Sequence, residues 1–291
     1  MSLPTFSFET TAYEVADALS SQIAGKNVLV TGTSLQGIGF DTACSIAKHA
    51  GLVVITGYNA ERLDLSAAAI HKAVPTANVP EVNAYPEPLH VLIHNAADTS
   101  GMYTITDDDI ERQIAVAHFG PFLLTKLLLP KLLSSTSPTW LPRVVIVASE
   151  AHTFGPGIDF AHLRKPLPGS KQETEGFLRY HEVKVANIFL HPGVIYTGAF
   201  TKEAVIPALK IVGTLTEDGK PAPNHPWKTL AQGAATTVAA AFDPRLDGQS
   251  GAYLVDSNEA NNLRTAPASD QANVDKLWKM TEEILGEDFG L

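Results

Sequence analysis

The chain has 291 residues, enough to bury a sizeable core in one α/β domain. With 45% hydrophobic and 18% charged residues it is not a disordered chain. Its formal charge of −10 repels phosphate backbones and argues against nucleic acid as a partner.

The opening "MSLPTFSFETTAYEV" has neither the basic start nor the apolar run of a secretory signal. The single cysteine, Cys44, excludes an intrachain disulfide and suits a reducing compartment, so a cytoplasmic location is expected. Val15, Leu19 and Ile23 recur at helical spacing and predict an amphipathic helix over 11–24. "NVLVTG" (27–32) reads as a buried strand, followed by a helix over 38–49. "LVVITG" (52–57) is a second strand, with a helix over 60–73 behind it. "LHVLIHNAA" (89–97) and "PRVVIVAS" (142–149) are two more strands. None of them alternates, which marks strands covered on both faces, as in a parallel sheet. Strands alternating with helices predict a doubly wound, Rossmann-like α/β fold, one domain over 1–291.

The longest apolar stretch, "PFLLTKLLLPKLL" (121–133), is interrupted by Lys126 and Lys131. It is shorter than the ~20 residues of a membrane span and predicts a buried or interface helix. Beyond it follow a helix over 229–242, a short strand in "GAYLV" and a final helix over 270–285. His90 and His94 share a strand face but stand too far apart to hold one ion, and no metal site is expected.

Two connections are short for this fold. Residues 74–89, "VPTANVPEVNAYPEPL", should hold a strand and a helix, yet three prolines oppose the helix. "ANVPEV" offers an edge strand at most. The second is "RYHEVKVANIFLHPGV" (179–194). Tyr180 and Lys184 lie one helical turn apart on one face. Eight residue steps from Lys184 to Pro192 reach at most ~26 Å. Descending along a helix and re-ascending a five-residue strand needs roughly 30 Å or more. A helix over about 180–189 is therefore expected, with no full strand before Pro192. Both losses should expose apolar strand faces to water.

Chemistry gathers at strand ends. "TGTSLQGIG" follows a strand and opens a helix. Gly32 permits the tight turn, Gly37 lets the backbone approach a pyrophosphate, and Gly39 packs helix on strand. "TGYNAER" at the end of the second strand carries Tyr58 and Arg62 but no acid to meet a ribose 2′-hydroxyl, which favours NADP over NAD.

Taken with "HNAA" (94–97), "RVVIVASEAH", "YHEVKVANI" and "LHPGVIYTG", the sequence resembles the short-chain dehydrogenase/reductase family, in its retinol-dehydrogenase-like branch. The glycine motif carries one extra residue relative to the family's TGxxxGIG. The resemblance implies an NAD(P)(H)-dependent enzyme interconverting a carbonyl and an alcohol on a small apolar substrate. It implies Ser149, Tyr180 and Lys184 as catalytic residues. It implies Gly32, Ser34, Gly37, Ile38, Gly39, Tyr58, Arg62, Asn95, Ile195 and Thr197, again with Tyr180 and Lys184, around the cofactor. The family's relay asparagine falls on Ala117, in "VAHFGPFLLT". With the two short connections, this keeps open an alternative, a catalytically impaired nucleotide-binding descendant or a truncated non-functional form. A homodimer is compatible with the resemblance, but the family builds that interface on the unit shortened after Lys184. The shortening is also expected to draw Thr197 away from the nicotinamide.

Overall fold

The computed structural model describes residues 3–79, 88–187 and 189–290. Strands β1 (Asn27–Thr31), β2 (Leu52–Thr56), β3 (Val91–His94) and β4 (Arg143–Ile146) form a parallel sheet in the order β2-β1-β3-β4. They stack in step, with Val28 beside Val53 and Val91, and Leu92 beside Val144. A single parallel bridge, Val147 to Leu190, links β4 to β5 (Leu190–His191). Strands β6 (Val194–Ile195) and β7 (Trp227–Lys228) form a separate parallel pair. Strand β5 pairs in parallel with β8 (Leu254–Val255), which closes antiparallel on β9 (Asn258–Glu259). This is the doubly wound α/β architecture that the unbroken apolar strands predict.

Alternate residues of the strands feed two cores. Val28, Val30, Val53 and Ile93 pack with the helices Ala12–Ala18, Ile38–Ala47 and Leu230–Phe242. Leu29, Val54 and Leu92 face the other way, onto Leu128 and Leu132 of the helix Gly120–Leu133. Local chemistry sets the helix starts: Thr11 with Glu14 and Thr229 with Gln232 form capping boxes. Asn59 caps the helix Ala60–Ala73 through Arg62 N at 2.9 Å.

The helix Gly120–Leu133 continues a π turn (Ala115–Phe119) and a short helix (Arg112–Ile114), so the helical run covers Arg112–Leu133, 22 residues. It is longer than the apolar stretch suggests, because the π turn carries the helix through "AVAHF" without a break. By length and composition alone it could cross a membrane. Thr125 on it bonds His94 of β3 at 2.8 Å, and Leu132 is buried in the sheet's second core.

Of the first short connection, residues 74–79 contain a turn and no strand; residues 80–87, with the second half of "ANVPEV", lie outside the described residues. Asn78 O accepts from Val53 N at 3.0 Å, so the chain touches the outer edge of β2 there.

At the second connection the helix is Gly176–Ala186, shifted toward the N-terminus from the expected 180–189. Asn187 follows it and folds its amide back onto Val183 O at 3.0 Å. Strand β5 keeps only two residues. The reach limit is met by giving up both the last turns of the helix and most of the strand. Val144 of β4 is 38% exposed, although its strand was expected to be covered on both faces.

Candidate active site

The glycine turn at the end of β1 is tightly built. Gly32 has φ 71°, and a Cβ there would come within 2.7 Å of Ala96 Cα. A Cβ on Gly39 would meet Asn95 Nδ2 at 2.3 Å and Gly32 O at 2.5 Å. Asn95 is the brace: its Nδ2 donates to Thr31 O (3.0 Å) and Gly32 O (2.9 Å). The extra residue of the loop is absorbed by Gln36 at φ 61°, within a turn closed by Gly37 N to Ser34 O at 3.2 Å. The helix Ile38–Ala47 then starts at Gly37 with no side chain capping it. Its first N–H groups are left to a phosphate, the fit a dinucleotide needs.

Beyond this turn opens a cavity of about 710 Å³ lined by Ser149, Tyr180 and Lys184 and by Ile38, Asn95, Ile195 and Thr197. Ser149 ends the fourth strand's extension in an extended conformation, and its Oγ accepts from Ala151 N at 3.1 Å. Lys184 is 4% exposed; its Nζ donates to Val147 O at 3.2 Å and lies 5.2 Å from the centre of the Tyr180 ring. Val147 O is available because β3 and β4 splay after His94. There Asn95 N and Ala96 N both turn to Thr31 Oγ1, each at 3.1 Å. The lysine therefore takes a carbonyl that a longer ladder would have used.

Thr197, expected to be drawn away from the nicotinamide, lines the same cavity as Tyr180. Early reversal of the chain after Ala186 lets Pro192-Gly193 arrive beside the end of β4 without a full strand. The cavity wall does not include Tyr58 and Arg62, which are exposed beyond β2. Gly32, Ser34, Gly37 and Gly39 lie in the turn next to it rather than in its wall.

Sequence reasoning missed several residues of this wall, among them His191, His152, Lys228, Asp256 and Phe8. His191 Nδ1 accepts from Glu150 N at 3.0 Å, and burial pushes its pKa down to about 4. His152 Nδ1 donates to Ser149 O at 2.9 Å. Lys228, paired with Asp256 at 2.5 Å, lies 4.7 Å from the centre of the Phe8 ring, which the N-terminal segment brings in. The stem of Lys228 crosses Gly193 (φ 92°), where a Cβ would fall 2.5 Å from Lys228 Cδ. The signals were "SEAH" and "LHPGV", read only for serine and for Pro-Gly.

Ala117 sits in the π turn, buried with Ile114 and Val183. Its neighbour His118 bonds Asn187 Oδ1 (3.2 Å) and Thr281 Oγ1 (2.8 Å), and burial lowers its pKa to about 4. Among the described residues no group of three or more His, Cys, Asp or Glu gathers as a metal site would require.

A parallel sheet with a glycine turn at the end of its first strand and a cavity at the strand ends defines an NAD(P)-binding, Rossmann-like oxidoreductase fold. The family model "short chain dehydrogenase" matches residues 26–161. The human WW domain-containing oxidoreductase is 30% identical, over 97% of this chain and 72% of that protein. Mouse retinol dehydrogenase 14 is 30% identical, over 90% of this chain and 86% of that protein. The chain belongs to the short chain dehydrogenase family. Alignment to the chicken WW domain-containing oxidoreductase runs over 324 positions, more than the 291 residues present, so that relative has residues without a counterpart here. Among solved structures, NAD+-bound xylitol dehydrogenase superposes with a TM-score of 0.57 at 17% identity, covering 80% of this chain and 97% of that one. L-Sorbose reductase from Gluconobacter frateurii, complexed with NADPH and L-sorbose, gives 0.54 at 17%, covering 83% and 98%. These two share the fold.

Proposed function

We propose that the chain interconverts a carbonyl and an alcohol on a small apolar substrate, using NADP in preference to NAD. The observation that carries this reading is the gathering of Ser149, Tyr180 and Lys184 around one cavity beside the glycine turn. When bound at the glycine turn, the dinucleotide would supply the hydride for the carbonyl carbon. Tyr180 gives its hydroxyl proton to the carbonyl oxygen, and in the reverse direction takes it back. Lys184, one turn away and anchored at Val147 O, stabilises the negative charge that develops on the phenol oxygen. Ser149 donates its hydroxyl to the reacting oxygen. Phe200, Leu209 and Val212 in the wall suit an apolar substrate body. Among the described residues the exposed Arg62 guanidinium has no partner, which leaves it free for a 2′-phosphate.

Two measurements test this. Fluorescence titration should give tighter binding of NADPH than of NADH, and the reverse order would overturn the preference. Tyr180→Phe should abolish ketone reduction; undiminished turnover would overturn the role of Tyr180. Ala117 favours a second reading, a descendant that binds the nucleotide without turning over, because its methyl group can hold no relay water. NADPH binding with no ketone reduction by the unmodified chain would support that reading instead.

A further inference from the structure

Ser149 is flanked by two buried histidines whose hydrogen-bonding roles are opposite. A backbone N–H can only donate, so Glu150 N fixes His191 Nδ1 as acceptor and leaves the proton on Nε2. That Nε2 is 3.5 Å from Glu150 Oε2, too long for a strong bond. A backbone carbonyl can only accept, so Ser149 O fixes His152 Nδ1 as donor. With the ring neutral and Nδ1 carrying the proton, His152 Nε2 is an acceptor. The His152 side chain is 1% exposed, its ring meets Tyr253 edge-on at 5.1 Å, and among the described residues Nε2 has no partner. Both histidines line the cavity. A buried acceptor left unmade is unfavourable, and a donor on a bound ligand removes that penalty.

We propose that His152 is a specificity-determining residue whose Nε2 accepts a hydrogen bond from a hydroxyl that the substrate carries away from its reacting carbonyl. The substrate class is then a hydroxy ketone, or the matching diol, on an apolar body. The proposal rests on the carbonyl–alcohol reading above. Its chemistry is distinct, since Ser149 and Tyr180 address the reacting oxygen and His152 a second one. An adjacent apolar wall gives the remaining carbon skeleton a place to lie.

The test compares benzylacetone, its para-hydroxy derivative and its para-methoxy derivative. Each is titrated calorimetrically at pH ~8 into the protein saturated with NADP+, where a ketone cannot be reduced. The para-hydroxy ketone should bind about tenfold more tightly than the parent, the effect of one well-made hydrogen bond. The methoxy group accepts but cannot donate, so that ketone should bind like the parent. His152→Phe should reduce the hydroxyl preference, the ratio of hydroxy-ketone to parent-ketone affinity, to within about twofold. Equal binding of hydroxy and parent ketones would overturn the proposal, as would equal binding of hydroxy and methoxy ketones, or no binding of any. These arms use the unmodified protein and stand even if the variant does not fold. Ketone reduction with NADPH is measured separately, so failure of turnover and failure of hydroxyl recognition are read independently.

Discussion

Replacing Gly39 by alanine tests how closely the glycine-loop helix approaches the sheet. The added methyl would sit 2.5 Å from Gly32 O and 2.3 Å from Asn95 Nδ2, so either the helix start or the Asn95 amide must move. Overpacking of this kind costs about 1–3 kcal/mol. If Asn95 swings away, its bonds to Thr31 O and Gly32 O are lost, at about 1 kcal/mol each. Alanine's better helix propensity returns at most about 1 kcal/mol. The net expectation is a loss of roughly 2–3 kcal/mol, which for a chain of this size lowers the melting temperature by about 4–10 °C. NADPH affinity should fall as well, because the same shift misaligns the uncapped helix start at Gly37. Thermal melting and nucleotide titration read both effects. Gly57→Ala is the control: its methyl would touch Leu63 Cδ1 at 3.6 Å, an ordinary contact, and should change stability by no more than about 0.5 kcal/mol. A Gly39→Ala protein that melts and binds like the parent would refute the close-packing argument.

Burial, helped by Asp159, pushes the Glu182 carboxyl up to about 7. The folded state therefore holds that proton more tightly than the unfolded chain. The stability it contributes is complete below pH ~4.5 and lost as pH rises to about 7. Glu182→Gln should leave stability near pH ~4.5 unchanged and raise it at pH ~8 by roughly 1–2 kcal/mol, after discounting for part exposure; equal shifts at both would be inconsistent with this. Arg179 pairs with buried Glu111 at 3.1 Å and donates to Glu173 O at the same distance. Arg179→Met strands the Glu111 charge and should cost about 3–5 kcal/mol near pH ~7. Burial already raises the Glu111 pKa, so this loss should shrink in acid, and chemical denaturation at two pH values checks it.

Most of the sheet was legible because its strands are plain apolar runs between turn residues. β1, β2 and the helix Ala60–Ala73 fall where periodicity put them. The glycine turn was legible for the same reason, since Gly32 and Gly39 answer to backbone sterics that a sequence displays. What periodicity could not show is which residues share a wall when they come from distant segments. Phe8 meets Lys228 across 220 positions only because residues 3–9 wrap back over the helix Leu230–Phe242; Gln232 Nε2 reaches Glu9 Oε2 at 2.7 Å. The histidines beside Ser149 were equally hidden. Their roles depend on which backbone group each ring nitrogen meets, and a strand-end sequence does not display that.

The short connection after Lys184 shows why a chain-length argument bears on the strand more than on the site. The arithmetic excluded a full descent and return along the sheet, and β5 is indeed two residues long. Yet every residue brought to the cavity from this segment lies at the strand-end side of the sheet. Lys184 is two residues before the helix ends at Ala186, and β5 runs straight into Pro192-Gly193. Reversing the chain early therefore removes structure from the far end of the unit and spares the end that carries the chemistry. The cost appears away from the cavity, where Val144 of β4 is 38% exposed on a strand whose neighbours are buried. Thr197 remains in the wall with Tyr180 for the same geometric reason. Lengthening this connection should thus act first on stability, by covering Val144, and only weakly on nucleotide binding. A chain with an inserted helix turn and strand that melted no higher but bound NADPH far more tightly would contradict that separation.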